Sequence, residues 1–409
     1  MSETRISKII TNTTFLFSIG IIGISVISVI FPALIISQTY EFPLDLNPFE
    51  TSPWLLPIFF SVISLLTFGF LHYKKKLPFS LSNTIDLILN FELSKRISII
   101  LGLSILAIYI GFTIPELFID ESEQWPDYIV LESALNIWPS TDHLSVYIKE
   151  QNTRYVRMIL LEFSQDIFQN IKFLPFVASV FTVIVTALIT IQLSKKRFAG
   201  IIAMLVLLSS VTFTDFDTVA VYENFWVLFY LISLYSINKR WWHASPVNFI
   251  LSIFTKAFTA TYFWMNFFYI YRATIPTKTK LLLFASYGIV LGITYWIFEN
   301  GRSIIYDYII RYDFNAFLDG FTGWGNSMQL EPFVLLFILP LTVMLFFKSR
   351  NGLKQADSIM ILLAGSILAG PLISLVTDFY FILPYRFIPF VIFMAIAVGL
   401  LFSKKINPE

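Results

Sequence analysis

Asp120 and Glu121 close a hydrophobic stretch, Ile99–Phe118, and open the longest polar segment of an otherwise apolar chain. Two carboxylates at the mouth of such a stretch can take a proton from a hydroxyl or hold a divalent cation where water meets lipid. Partial burial there raises a carboxyl pKa into the range of a useful general base. A second acidic group, Asp215, Asp217 and Glu223, precedes the apolar run at Phe225–Ser236. Lys256 stands inside an apolar run, where an ammonium is tolerated beside water or an anion, or by snorkelling to the interface. Arg386 follows Leu383-Pro384-Tyr385, and Arg154 and Arg157 follow the first acidic pair. Guanidinium groups can hold a phosphate through two parallel hydrogen bonds. Taken singly, the acidic groups can also be read as a solvated helix end and a polar turn, and a lone loop arginine is more often simply solvated.

The elements that must position them are membrane helices. The 409 residues are 56% hydrophobic and 13% charged, about half the charged fraction of ordinary soluble domains. Repeated continuous apolar runs match the roughly 20 residues needed to cross a bilayer core, and their continuity argues against a β-barrel. The runs are 15–36, 54–71, 98–118, 173–192, 198–214, 222–237, a pair within 246–271 broken near Lys256, 281–299, 332–347, 359–378 and 387–402. The expectation is an all-α polytopic transmembrane bundle of about 11–13 helices. The first run, Phe15–Ile36, is longer than a signal-peptide core and no small-residue cleavage site follows it.

Breaking 246–271 into two short helices makes the basic loops fall on one face, which the positive-inside rule assigns to the cytoplasm along with both termini. On the other face remain Lys149, Arg154, Arg157, Lys172, Lys256, Arg302, Arg311 and Arg386, together with most of the acidic residues. The long segment 119–172 mixes apolar and polar residues at near-helical spacing in 126–131 and 147–168, as interfacial helices do; 79–96 reads similarly on the cytoplasmic side. The segment 300–331 is an aromatic, Gly-containing external loop in this reading, with Trp324 placed to stack on a sugar. Residues 1–97 read as an appended two-helix module and 98–409 as the main membrane domain. The chain has no cysteine, so thiolate chemistry and disulfides are excluded. Phosphate-binding glycine loops, dinucleotide fingerprints and hydrolase or zinc-protease motifs are missing, and Trp241-Trp242 beside Lys239-Arg240 is a membrane anchor rather than a nucleic-acid patch. His72, His143 and His243 are scattered.

The order of these features resembles the membrane glycosyltransferases of the GT-C fold, especially those that transfer mannose or aminoarabinose from a polyprenyl phosphate. The acidic pair leads into a long external loop with interfacial helices. Then come the run Leu174–Val211, the acidic turn in Thr214–Tyr235, and Ser245–Phe263 with Lys256 between two short helices. The likeness covers roughly 98–275 well and 280–402 loosely. It departs from the family in placing the acidic loop after the third helix, and in setting Tyr128 further behind the acidic pair than the tyrosine usual there. The resemblance implies a GT-C-like fold and transfer of a sugar from a polyprenyl-phosphate donor to a hydroxyl on a protein, glycan or lipid at the extracytoplasmic face. It casts Asp120 as base with Glu121 beside it, an acidic residue of the Asp215/Asp217 region in the second loop, and Lys256 and Arg386 on the lipid phosphate. A divalent metal is compatible with the acidic groups, and no nucleic acid is expected. The alternatives are a polysaccharide polymerase and a lipid-linked glycan transporter or flippase, the last expected to show paired broken helices in two related halves.

Overall fold

The structure, a computed structural model, describes residues 3–39, 47–139, 154–300, 312–377 and 383–404. His143, Lys149, Arg302, Arg311 and the first part of the expected 147–168 helix lie outside the described residues. Among the described residues the chain is all-α, with no β-strand. Among the described residues, eight helices are long and apolar enough to cross a bilayer: Arg5–Ile30, Leu55–Tyr73, Lys95–Phe118, Phe173–Ser194, Thr277–Trp296, Pro332–Arg350, Gln355–Val376 and Pro384–Leu401.

The chain divides into two compact units. The first is Met1–Ser98, Thr190–Thr212 and Ile310–Glu409; the second is Ile99–Ile189 and Phe213–Ile309. Residues 1–98 are thus grouped with Thr190–Thr212 and the C-terminal part of the chain. Helix Glu3–Ile30 packs on Phe314–Gln329, Pro332–Arg350 and Gln355–Val376. Hydroxyls tie it there: Thr11 donates to Asp357 Oδ2 at 2.9 Å, Ser18 to the Met360 carbonyl at 3.1 Å and Ser28 to the Phe321 carbonyl at 3.1 Å. Apolar side chains gain little by leaving lipid for one another, so close packing and such bonds hold membrane helices together. Gly399 shows the close packing. A Cβ there would collide with the Thr190 methyl and the Ala199 carbonyl, so glycine lets Ile388–Leu401 lie against Arg197–Leu208.

Three expectations change in the structure. The 198–214 run is two pieces, Arg197–Leu208 and Val211–Asp215, interrupted at Ser209-Ser210. At 1.5 Å per residue the first piece is about 18 Å long, short of the roughly 30 Å apolar core. The segment read as a third external loop contains helix Phe314–Gln329, whose glycine face is buried. Trp324 is 1% exposed, its ring 5.5 Å from that of Phe387 and its indole against Gly370, so it is core rather than a sugar platform.

In the second unit, Phe225–Asn238 and Ala244–Thr255 are the most extensively packed pair. Lys256 then adopts extended backbone (φ −151°, ψ 110°) before the 3-10 turn Ala257–Tyr262 and helix Phe263–Arg272, the break that the charge at this position foretold. The Tyr287 hydroxyl joins the bundle, 2.6 Å from Ser233 Oγ, 2.8 Å from Ser245 Oγ and 3.3 Å from the Asn266 amide nitrogen. Helix Tyr128–Ile137 overlaps the expected segment 126–131 and extends beyond it, and helix Tyr155–Phe168 covers the described part of 147–168.

Candidate active cleft

The second unit gathers its charges around the end of the Lys95–Thr113 helix. Pro115 cannot continue the α-helical hydrogen bonding, and the chain tightens into the 3-10 turn Ile114–Phe118, then leaves it extended at Ile119. The turn's carbonyls need donors. Lys172, one residue before helix Phe173–Ser194, donates to the carbonyls of Glu116 (2.6 Å) and Ile119 (3.2 Å), and the Asn170 amide to that of Leu117 (3.0 Å). Two helix ends are thus sewn together by side chains of one short connection.

The second acidic segment is held from both sides. Glu121, 3% exposed, accepts from the backbone N–H groups of Ala220 (3.0 Å) and Val221 (2.8 Å). Arg157 Nη2 donates to the carbonyls of the same two residues (3.3 and 2.7 Å), and its Nε lies 2.8 Å from Glu223 Oε2. Asp217 accepts from the Tyr109 hydroxyl at 2.7 Å, while its own carbonyl accepts from Ser179 (2.7 Å). Asn224 donates to Ser179 Oγ and the Phe216 carbonyl. Tyr222 reaches Asp127 Oδ2 at 2.7 Å.

Between these supports opens a cleft of about 540 Å³, lined by Glu116, Ile119, Gln124, Trp125, Lys172, Thr214, Asp215, Thr218 and Val219. Trp125 forms one wall and is backed by Phe216 and Tyr222, ring centroids 5.3 and 5.2 Å away. Its buried indole N–H has no hydrogen-bond partner among the described residues. Partial burial raises the Asp215 carboxyl above the usual carboxylate range. Asp217, behind the cleft, is pushed up to about 8, mainly by burial, with Glu116 and Asp215 pushing the same way against the Tyr109 hydrogen bond and Lys172. Burial also raises Glu121 despite its two amide donors, and lowers the Lys172 ammonium despite the surrounding carboxylates. The chemistry of such a cleft is that of an ionisable carboxylate facing water, an ammonium with one of its three donors left over, and an aromatic wall.

The sequence-derived residues distribute as follows. Asp215 lines the cleft; Asp217, Glu121, Arg157 and Glu223 support it from behind. Asp120 does not line it. It is fully exposed, and its Oδ1 accepts from the Ser122 N–H (2.9 Å) and hydroxyl (2.8 Å), which hold the carboxyl below its ordinary range. The reason is local: after the extended Ile119 the two adjacent carboxylates point opposite ways, and Glu121 takes the inward one. Arg154 sits at the start of helix Tyr155–Phe168. Lys256 is buried with its ammonium 5.7 Å from the centre of the Trp226 ring and does not line the cleft. Arg386 belongs to the first unit, in the 3-10 turn Pro384–Phe387, buried and 5.3 Å from the Tyr385 ring. Glu116 and Trp125 were not foreseen, and Lys172 was named only as one of the external basic residues. A carboxylate directly after a proline inside an apolar run was the available signal for Glu116. No group of three His, Asp or Glu placed to hold a metal occurs among the described residues.

The fold and its apolar helices define a multi-pass α-helical membrane protein. Comparison with protein-family models, curated proteins and solved structures found no match.

Proposed function

We propose that the protein is an integral-membrane glycosyltransferase that moves a sugar from a polyprenyl-phosphate donor to an acceptor hydroxyl. The reading rests on one observation: Asp215, Glu116 and Lys172 meet beside the Trp125 wall at the end of a membrane-length helix. A lipid-linked donor reaches such a place from the bilayer while its sugar enters water. The distribution of basic residues supports an orientation with both termini cytoplasmic and the cleft on the opposite face.

Asp215 replaces Asp120 as the base in this reading, because its carboxyl lines the cleft and its pKa lies nearer to working pH. It takes the proton of the acceptor hydroxyl as that oxygen attacks the anomeric carbon. The bond from the anomeric carbon to the phosphate oxygen breaks, and its electron pair leaves with the lipid phosphate. The remaining Lys172 donor offsets the charge that develops there. Trp125 offers a face on which a sugar ring can stack.

The test is transfer from radiolabelled polyprenyl-phosphate sugars by the purified full-length protein in nanodiscs. Asp215→Asn is expected to slow transfer by about 10²–10⁴-fold, and Asp120→Asn to leave it within about twofold. Wild-type rate in Asp215→Asn removes the base assignment. No transfer by the wild type from any lipid-phosphate sugar removes the function.

A further inference from the structure

In the first unit a second cleft, of about 670 Å³, is lined by Asn90, Glu92, Lys195, Lys196, Arg197 and Lys404. Four cations face one carboxylate. Lys196 is buried and donates to the Leu89 carbonyl at 2.8 Å. Arg197 is 3.7 Å from Glu92 Oε1 and donates to the Leu93 carbonyl. Lys195 and Lys404 have no side-chain hydrogen bond or ion pair with a described residue. Burial lowers the Lys196 ammonium, with Glu92 opposing and the nearby Lys404 adding to the fall. Lys195 also holds a left-handed backbone (φ 60°), a position glycine fills at less cost. Glu92 offsets one of these four charges, and the remaining cations repel one another unless a further anion joins them.

The cleft lies where two membrane-length helices, Phe173–Ser194 and Pro384–Leu401, end. Beside it Phe91, Phe198 and Phe402 stack edge to face, with centroid distances of 4.9 and 5.3 Å. Aromatic rings next to cations at helix ends are the composition of a membrane–water interface. We propose that this cleft binds a phosphate ester, the phosphodiester of an anionic lipid headgroup, with Lys195 and Lys404 as its direct donors and Lys196 and Arg197 as the fixed background charge.

The test uses the full-length protein in neutral detergent, with melting temperature followed against dioctanoyl phosphatidylglycerol, dioctanoyl phosphatidylcholine and inorganic phosphate. Saturable stabilisation by phosphatidylglycerol, with none by phosphatidylcholine, supports the lipid source. Saturation by inorganic phosphate, unaffected by phosphatidylglycerol, supports the phosphate site and replaces its source by a soluble one. The double variant Lys195→Gln/Lys404→Gln is expected to weaken the half-saturation concentration about tenfold or more, whereas Lys74→Gln/Lys75→Gln, outside the cleft, leaves it unchanged. If the double variant does not fold, each single variant is read in the same way. The proposal is overturned if neither phosphatidylglycerol nor phosphate saturates, or if the lysine variants bind like the wild type; the charges then serve only to set topology.

Discussion

Arg157→Ala tests the support behind the cleft most directly. Its side chain and that of Glu223 are 1% and 2% exposed and 2.8 Å apart, and Arg157 also donates to the carbonyls of Ala220 and Val221. Truncation leaves the Glu223 carboxylate buried without its cation and two carbonyls without a donor. Breaking a buried pair in this way costs about 3–5 kcal/mol, most of it the penalty of the orphaned charge. Replacing both partners by apolar groups, as in Arg157→Met/Glu223→Leu, removes that penalty and is expected to cost less than Arg157→Ala alone. Unfolding in a denaturing detergent, followed by tryptophan fluorescence, measures both, since Trp125 packs on Phe216 and Tyr222 of the supported segment. A loss below about 1 kcal/mol for Arg157→Ala, or a double variant worse than either single one, would refute the reasoning, because the buried pair would then not be holding the segment.

Asp217 gives a pH prediction. Its folded pKa of about 8 lies above the unfolded value of 3.8, so the folded state binds the proton more tightly. Its contribution is fully present below about pH 4 and is lost as pH rises through 8, at up to about 1.4 kcal/mol per unit. Thermal unfolding at pH 5 and 8.5 should therefore show a smaller alkaline loss for Asp217→Asn than for the wild type; an equal loss shows that Asp217 does not titrate in this window. Gly399→Val should destabilise the first unit by about 1–3 kcal/mol, read as a lower melting temperature, because the Thr190 methyl and Ala199 carbonyl leave no room for it.

The long helices were legible because continuous apolar runs have few other ways to fold. The break at Lys256 was legible because charge in lipid is costly and the loops demanded an even number of crossings. The break at Ser209-Ser210 was not, since two serines scarcely interrupt a hydrophobic run. Helix Phe314–Gln329 escaped notice because its Gly, Asn and Asp residues read as loop. It becomes a helix by packing, with Gly320 against Pro371 and Gly325 against Ser28. Within the candidate site, the residue classes and the two acidic segments were visible, whereas the choice between Asp120 and Glu121 was not. Neighbouring residues in an extended stretch face opposite ways, and no periodicity in an irregular loop says which faces in. Glu116 was hidden by counting it as the tail of a membrane run.

The Tyr287 junction has a consequence for hydrogen order. The hydroxyls of Ser233, Ser245 and Tyr287 lie 2.6–3.4 Å from one another, and either oxygen of each pair can be the donor. In one order Ser245 donates to the Ser233 carbonyl and accepts from Tyr287, while the phenol accepts from Ser233 and from the Asn266 amide. Three hydroxyl protons are thus shared among contacts that join four helices, so the orientation of one constrains the other two. Tyr287→Phe would leave Ser233, Ser245 and Asn266 to find a new order among themselves.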